Sequence, residues 1–356
     1  MRRLLMGALA LALLLTGCSW MDGRYVSVTP HRVALQQTQE GDAHPVSSYA
    51  GLRDALIGLV DEGSTKGLFS LAEYPRENVL EDMERAVDYV TKNYPVGAYA
   101  VESIGYNFGT GLGASAMSVD ITYRCSREMI ENIRTVRGIS GASDAIGEAL
   151  DDFAEKVVLQ ISGYRDTDFA AVVRSYAQQN PDRVMEVPTV TVQIWPDRGD
   201  TRVVELQLYY RTDREALRAM REQVQPVFSS AALYVTGQAG ERVKFEQLHT
   251  FLTERFDYTY RYSVTAPYSL LCEGVGDSRA FSEVYAAMCR RIGLEAMSIS
   301  GTRDGERHRW NLVKIDGNWY HLDLMASARF QTMTDGEMTG YEWDREEYPA
   351  ADAGVT

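Results

Sequence analysis

Residues 270–324 constrain this chain more tightly than any other stretch. A Gly-rich loop, Gly274-Val275-Gly276-Asp277, runs into a helical pattern over 279–292. There Ala280, Phe281, Val284, Ala287 and Met288 recur at three- and four-residue spacing. Two strands follow, 296–301 and 308–315, and the turn Asp316-Gly317 gives 318–324 as a hairpin partner. Into this frame the chain sets His308-Arg309-Trp310-Asn311 and then Trp319-Tyr320-His321-Leu322-Asp323.

That order resembles the transglutaminase-like domain, a papain-type α+β fold built around Cys, His and Asp. The resemblance implies a nucleophile opening the helix, with the His facing it and the Asp orienting the His. His308 and Asp323 fall on the last two places, and Trp310, Asn311 and Trp319 on the frame lining the cleft. Counted back from the helix-ending Gly293-Leu294, the nucleophile's place holds Ser278. An amphipathic helix over 241–257, with Val243, Phe245, Leu248, Phe251, Leu252 and Phe256 on one side, precedes the loop as it does in the family. The resemblance covers about 240–330, and the domain is expected over 240–349. Its closing Thr334–Met338 and Tyr341–Asp344 read as a capped turn and an aromatic plug.

Serine at that place changes the chemistry. The partial charge of a helix N-terminus and a nearby imidazolium bring a thiol from about 8.5 down to about 3.5–7.5. A hydroxyl is far harder to ionise, so Ser278 needs His308 as a true general base together with an oxyanion hole. Ser278 or Asp277 is the expected helix cap. Cys272, six residues upstream on the strand-like entry to the loop, is the alternative nucleophile and otherwise a small buried residue. Cys289 reads as core.

Residues 1–18 form an address: Arg2 and Arg3, an apolar run from Leu4 to Leu15, then Leu15-Thr16-Gly17-Cys18. This looks like a lipoprotein signal peptide with Cys18 as the lipidated residue. The run falls short of the roughly 20 residues a spanning helix needs. The expectation is therefore a lipid anchor on the extracytoplasmic face of the membrane, in a bacterial cell envelope. A net charge of −14 argues against nucleic acid. With Cys18 set aside, three of the four Cys remain, and spacing does not say which of them pair. The five His are scattered and no metal spacing occurs, so neither metal nor cofactor is expected.

Residues 19–48 read as a flexible tether. Helical pattern begins near Gly51 and recurs at 79–93. An internal repeat then emerges at an offset of 87: Ile121-Thr122-Tyr123-Arg124 with Arg127-Glu128 matches Leu208-Tyr209-Tyr210-Arg211 with Arg214-Glu215. Hairpins pair 99–106 with 116–124 and 189–194 with 202–211, and helices are expected over 144–162 and 167–179. Residues 50–228 thus form an α+β domain of two related strand-hairpin and helix units, and Gln225-Pro226 and Gly237–Gly240 punctuate the passage to the last domain. The fold class is α+β throughout.

Three functions fit. One is a catalytically impaired transglutaminase-like module, a pseudoenzyme binding a peptide, protein or cell-wall polymer. Another is a peptidase, amidase or acyl transferase using Ser278 or Cys272 with His308 and Asp323. In the third, the envelope role lies in the repeat domain.

Overall fold

The computed structural model describes residues 43–109, 115–259 and 267–352. The signal segment, Cys18 and most of the 19–48 stretch lie outside the described residues. Folded structure starts inside the expected tether. Strand β1 (His44–Pro45) is already paired, Val46 is buried, and Ser48 Oγ caps the first helix by accepting the Gly51 N–H at 3.3 Å.

The first unit continues with α1 (Tyr49–Asp61), β2 (Lys66–Ser70), α2 (Val79–Lys92), α3 (Pro95–Ala100), β3 (Val101–Phe108), β4 (Ala116–Tyr123) and α4 (Arg127–Glu131). Leu52, Leu56 and Val60 on α1 and Met83, Ala86 and Val90 on α2 cover one face of the sheet. The sheet order is β1-β2-β4-β3, with β1 parallel to β2 and the other pairs antiparallel.

The second unit repeats this arrangement without a counterpart of α3. It runs β5 (Arg134–Arg137), α5 (Gly138–Asp151), β6 (Lys156–Ser162), α6 (Phe169–Gln179), β7 (Thr189–Trp195), β8 (Thr201–Tyr209) and α7 (Arg214–Tyr234). Its sheet order is β5-β6-β8-β7, again parallel at the first pair only. The expected helix over 144–162 is therefore corrected: it stops at Asp151 and β6 takes the remainder. In 156–162 Leu159 and Ile161 alternate into the core, a period of two that a helix cannot serve. Both copies end their first helix with the same pair of backward hydrogen bonds, Gly63 N to Val60 O with Ser64 N to Leu59 O, and Phe153 N to Leu150 O with Ala154 N to Ala149 O.

The copies stack through α3, which lies on β7 and β8. Tyr99 meets the Trp195 ring edge-on at 5.1 Å and donates its hydroxyl to Glu205 at 2.8 Å. Val203 completes the first unit's core.

The last part comprises α8 (Glu241–Thr253), β9 (Asp257–Tyr258), α9 (Pro267–Glu273), β10 (Val275–Gly276), α10 (Ser278–Arg291), β11 (Ala296–Arg303), β12 (Glu306–Ile315), β13 (Asn318–Leu322) and β14 (Tyr341–Trp343). Its antiparallel sheet has the order β13-β12-β11-β14. Helix α10 is buried from Ala280 to Cys289 between this sheet and helices α7 and α8. Helix α7 runs straight through Pro226, which was expected to punctuate the chain, because Val224, Phe228 and Ala231 on one side join the α10 core. The β12–β13 turn has φ of 49° at Asp316 and 86° at Gly317, as a two-residue hairpin demands.

The closing segment covers the sheet's other face. Gly301 pairs with Trp343, and a Cβ at 301 would meet Glu342 O at 2.2 Å and the Trp310 ring at 2.6 Å, so only glycine lets the plug close. Among the described residues no helix is long and apolar enough to cross a membrane.

Candidate active site

The head of α10 sets the geometry. Asp277 is the N-cap, its Oδ1 accepting the Ala280 N–H at 2.7 Å. Ser278 is thereby released from capping. Its Oγ accepts the Arg309 backbone N–H at 3.3 Å, which places the hydroxyl one residue from His308 on β12.

His308 is buried, with its Nε2 bonded to Asp323 Oδ2 at 2.9 Å. Its ring lies nearly parallel to the Trp310 indole, 18° between planes and 6.3 Å between centroids. Asp323 holds the imidazole while being held from several sides. Oδ2 also accepts Tyr341 Oη at 2.6 Å and Arg303 Nη1 at 3.1 Å, and Oδ1 accepts the Met325 N–H at 2.8 Å. Burial opposes the charge on Asp323, but the His308, Tyr341 and Met325 hydrogen bonds outweigh it and keep the carboxyl below its usual range. The Tyr341 phenol is pushed up in turn by its own burial and by Asp323. Arg303 carries no signal in the sequence, and Tyr341 reads there only as part of the aromatic plug. One sits at the end of β11 and the other in the plug, and only the β11–β14 pairing brings both to the carboxylate.

The residues expected to line the cleft do other work. Trp310 and Asn311 are fully buried. Trp310 Nε1 donates to His321 Nδ1 at 2.9 Å, and His321 Nε2 bonds Asp335 Oδ1 at 2.8 Å. Asn311 Nδ2 ties β12 to α10 and β11 through Ser282 O at 2.8 Å and Met297 O at 3.2 Å. Trp319 is half-buried beneath Lys314 Nζ, 5.7 Å from the ring centroid. Trp310 and Asn311 brace the site rather than form its walls, since both side chains are committed to the packing around the sheet.

Cys272 is corrected as well. It lies on α9 rather than a strand, is exposed, and has Tyr268 of its own helix as its partner. Among the described residues nothing links it to His308. Cys125, Cys272 and Cys289 are all free thiols. Cys289 is wholly buried as expected, and that burial drives its thiol well up. One buried carboxyl went unnoticed in the sequence: Glu283, one turn into α10, accepts Arg279 Nε at 3.0 Å and Arg309 Nη1 at 2.6 Å.

The family model of the transglutaminase-like superfamily matches residues 230–324. The chain contains a transglutaminase-like domain. Ser278, His308 and Asp323 all fall within the matched segment.

Among solved structures the chain is similar to a TGase at 12% identity, with 54% of this chain and 59% of that one covered and a TM-score of 0.27. It is similar to a provisionally assigned cysteine protease from Cytophaga hutchinsonii (14% identity, 43% and 70% covered, TM-score 0.25). It is also similar to a provisionally assigned protease from Parabacteroides distasonis (9% identity, 64% and 52% covered, TM-score 0.24). The chain thus spans well under two thirds of the first of these. A comparison with curated proteins finds no match.

Proposed function

We propose that this protein is a lipid-anchored extracytoplasmic binding module, a pseudoenzyme whose transglutaminase-like domain holds a peptide or envelope polymer beside His308 without turning it over. One observation carries the reading: the side chain at the head of α10 is a hydroxyl, and its Oγ takes the Arg309 N–H instead of bonding the imidazole. A thiol in this setting would ionise with help from the helix terminus and the neighbouring imidazole. The hydroxyl does not, and it needs a proton acceptor within hydrogen-bond reach. Arg303 adds to the argument. It shares the Asp323 oxygen that orients His308, so part of the carboxylate's charge answers a permanent cation rather than a transient imidazolium.

A second reading, a serine hydrolase on the same groove, is favoured by the intact 2.9 Å His308–Asp323 pair. Labelling with a fluorophosphonate separates the two. The wild-type protein is expected to stay unlabelled, whereas Ser278→Cys should gain a thiol that iodoacetamide modifies quickly at pH 6. His308→Ala should slow that modification at least tenfold. Labelling of wild-type Ser278 that disappears in His308→Ala would establish the hydrolase instead.

Anchoring rests on Leu15-Thr16-Gly17-Cys18 after an apolar run. Metabolic labelling with an alkynyl fatty acid should mark the wild type and spare Cys18→Ala, which should leave the membrane fraction. Equal labelling of both would remove the anchor.

A further inference from the structure

Beside the head of α10 two carboxylates hold two arginines over a small apolar pocket. The cavity, about 200 Å³, lies between residues 177–187 of the second repeat unit and the first turns of α10. Pro181, Val184, Met185 and Val187 supply its apolar floor. At one rim Glu186 Oε1 accepts both the backbone N–H of Arg211, at 2.8 Å, and its Nε, at 3.3 Å. Glu186 Oε2 accepts the Thr212 N–H at 3.1 Å. At the other rim Glu283 fixes Arg279 through Nε and also takes Arg309.

Each rim clamp engages Nε. The paired terminal nitrogens of Arg211 and Arg279, the edge that grips a carboxylate with two prongs, take no part in these two bonds, while Arg309 is held through Nη1. Three arginines therefore meet two carboxylates here, in a chain whose net charge is −14.

The repeat provides an internal control. Arg124, the counterpart of Arg211 in the first unit, binds its guanidinium to the Ala98 carbonyl and so braces its own unit. Arg211 keeps the position without that task and is 93% exposed. The same residue in the same fold thus exchanges a backbone brace for an exposed ion pair with Glu186 at the pocket rim, where a ligand carboxylate can reach it.

We propose that this pocket is a specificity subsite for acidic peptides. It takes an Asp or Glu side chain of a peptide lying beside Ser278, with the carboxylate between Arg211 and Arg279 and the methylene stem on the apolar floor. The assignment rests on the peptide-binding reading above. Arg211 and residues 177–187 lie outside the matched 230–324 segment, so the subsite extends beyond the matched domain.

The test uses the full chain and an immobilised library of random C-amidated hexapeptides. Retained peptides should be enriched in Asp and Glu. Their affinity, read by fluorescence anisotropy, should fall about tenfold in Arg211→Gln, and by as much when the peptide's own Glu becomes Gln. Arg198→Gln, the same charge change on the exposed β7–β8 turn, should leave affinity within about twofold. Acidic enrichment that survives Arg211→Gln unchanged overturns the site. Retention without acidic preference, blocked by Ser278→Trp, overturns the subsite while leaving the binding module standing. No retention of any peptide overturns the binding module, and the subsite with it.

Discussion

The two repeat units share a topology and differ wherever something else touches them. Unit one ends its first helix on Gly63 at φ 63°, while unit two puts Phe153 there at φ 51°. A phenylalanine tolerates that conformation because its ring is fully buried in the α7–α10 core, with the Arg221 guanidinium 4.9 Å from it. Tyr123 donates to the carbonyls of Leu59 and Ser64, closing its unit on itself. Its counterpart Tyr210 instead packs edge-on against Phe153 at 6.3 Å.

The sheets differ in the same way. Ala116 and Ser118 on β4 are half-buried, whereas their counterparts Val203 and Glu205 on β8 are buried beneath the first unit. Unit one therefore acts as a terminal cap and unit two as a layer held between neighbours. Duplication preserves hydrogen-bonding topology, and contact then rewrites the surface residues one by one.

The cores should respond alike, and their loss is the largest effect. Phe69 and Leu159 occupy matched buried positions. Urea unfolding should place Phe69→Ala about 3–5 kcal/mol and Leu159→Ala about 2–5 kcal/mol below wild type. A loss under about 1 kcal/mol in either would mean that unit does not fold with the rest. The sheet faces should respond differently. Glu205→Ala strands the Tyr99 hydroxyl and Lys156, and should cost about 2 kcal/mol. Ser118→Ala, its counterpart, should stay within about 0.5 kcal/mol. Equal costs would end the cap-and-layer distinction.

A smaller contrast is expected at the matched arginines. Arg124→Gln should lose about 1 kcal/mol with the Ala98 bond, while Arg211→Gln should unfold within about 0.5 kcal/mol of wild type.

Mild acid should separate the repeats from the last domain. Burial lowers the pKa of His321 and of His249 from 6.5, so the unfolded chain protonates first. Their contribution to stability is full above about pH 6.5 and is lost as pH falls from there through the folded values. The urea midpoint should drop between pH 7 and pH 5, and hydrogen exchange should quicken in the β12–β13 sheet before it does in β2 and β4. Simultaneous loss in both regions would refute this order.

Much of the last domain was legible because its signals are local. Helical spacing, the Asp316-Gly317 turn and the His-x-Trp-Asn order fixed α10, β12 and β13 to within a few residues. The repeat was legible only at its hairpin, where the offset of 87 holds. Its first strands and helices match at an offset near 90, and β2 and β6 are short and half-buried, so neither periodicity nor alignment exposed them. Trp310 and Asn311 read as cleft walls in the sequence, which does not tell a buried brace from a lining residue. Burial is a property of what packs on top, here the plug carrying Trp343 and the face of α10.

The sequence by itself determined the fold class, the secondary structure around the site and the hydroxyl at position 278, because these follow from residue type and short-range spacing. The tertiary structure decided what that hydroxyl bonds to, that Asp323 is shared with Arg303 and Tyr341, and that Arg211 stands at the rim of a pocket. Those contacts join residues from about 20 to nearly 70 positions apart, and only the folded chain brings their strands and helices within hydrogen-bond reach.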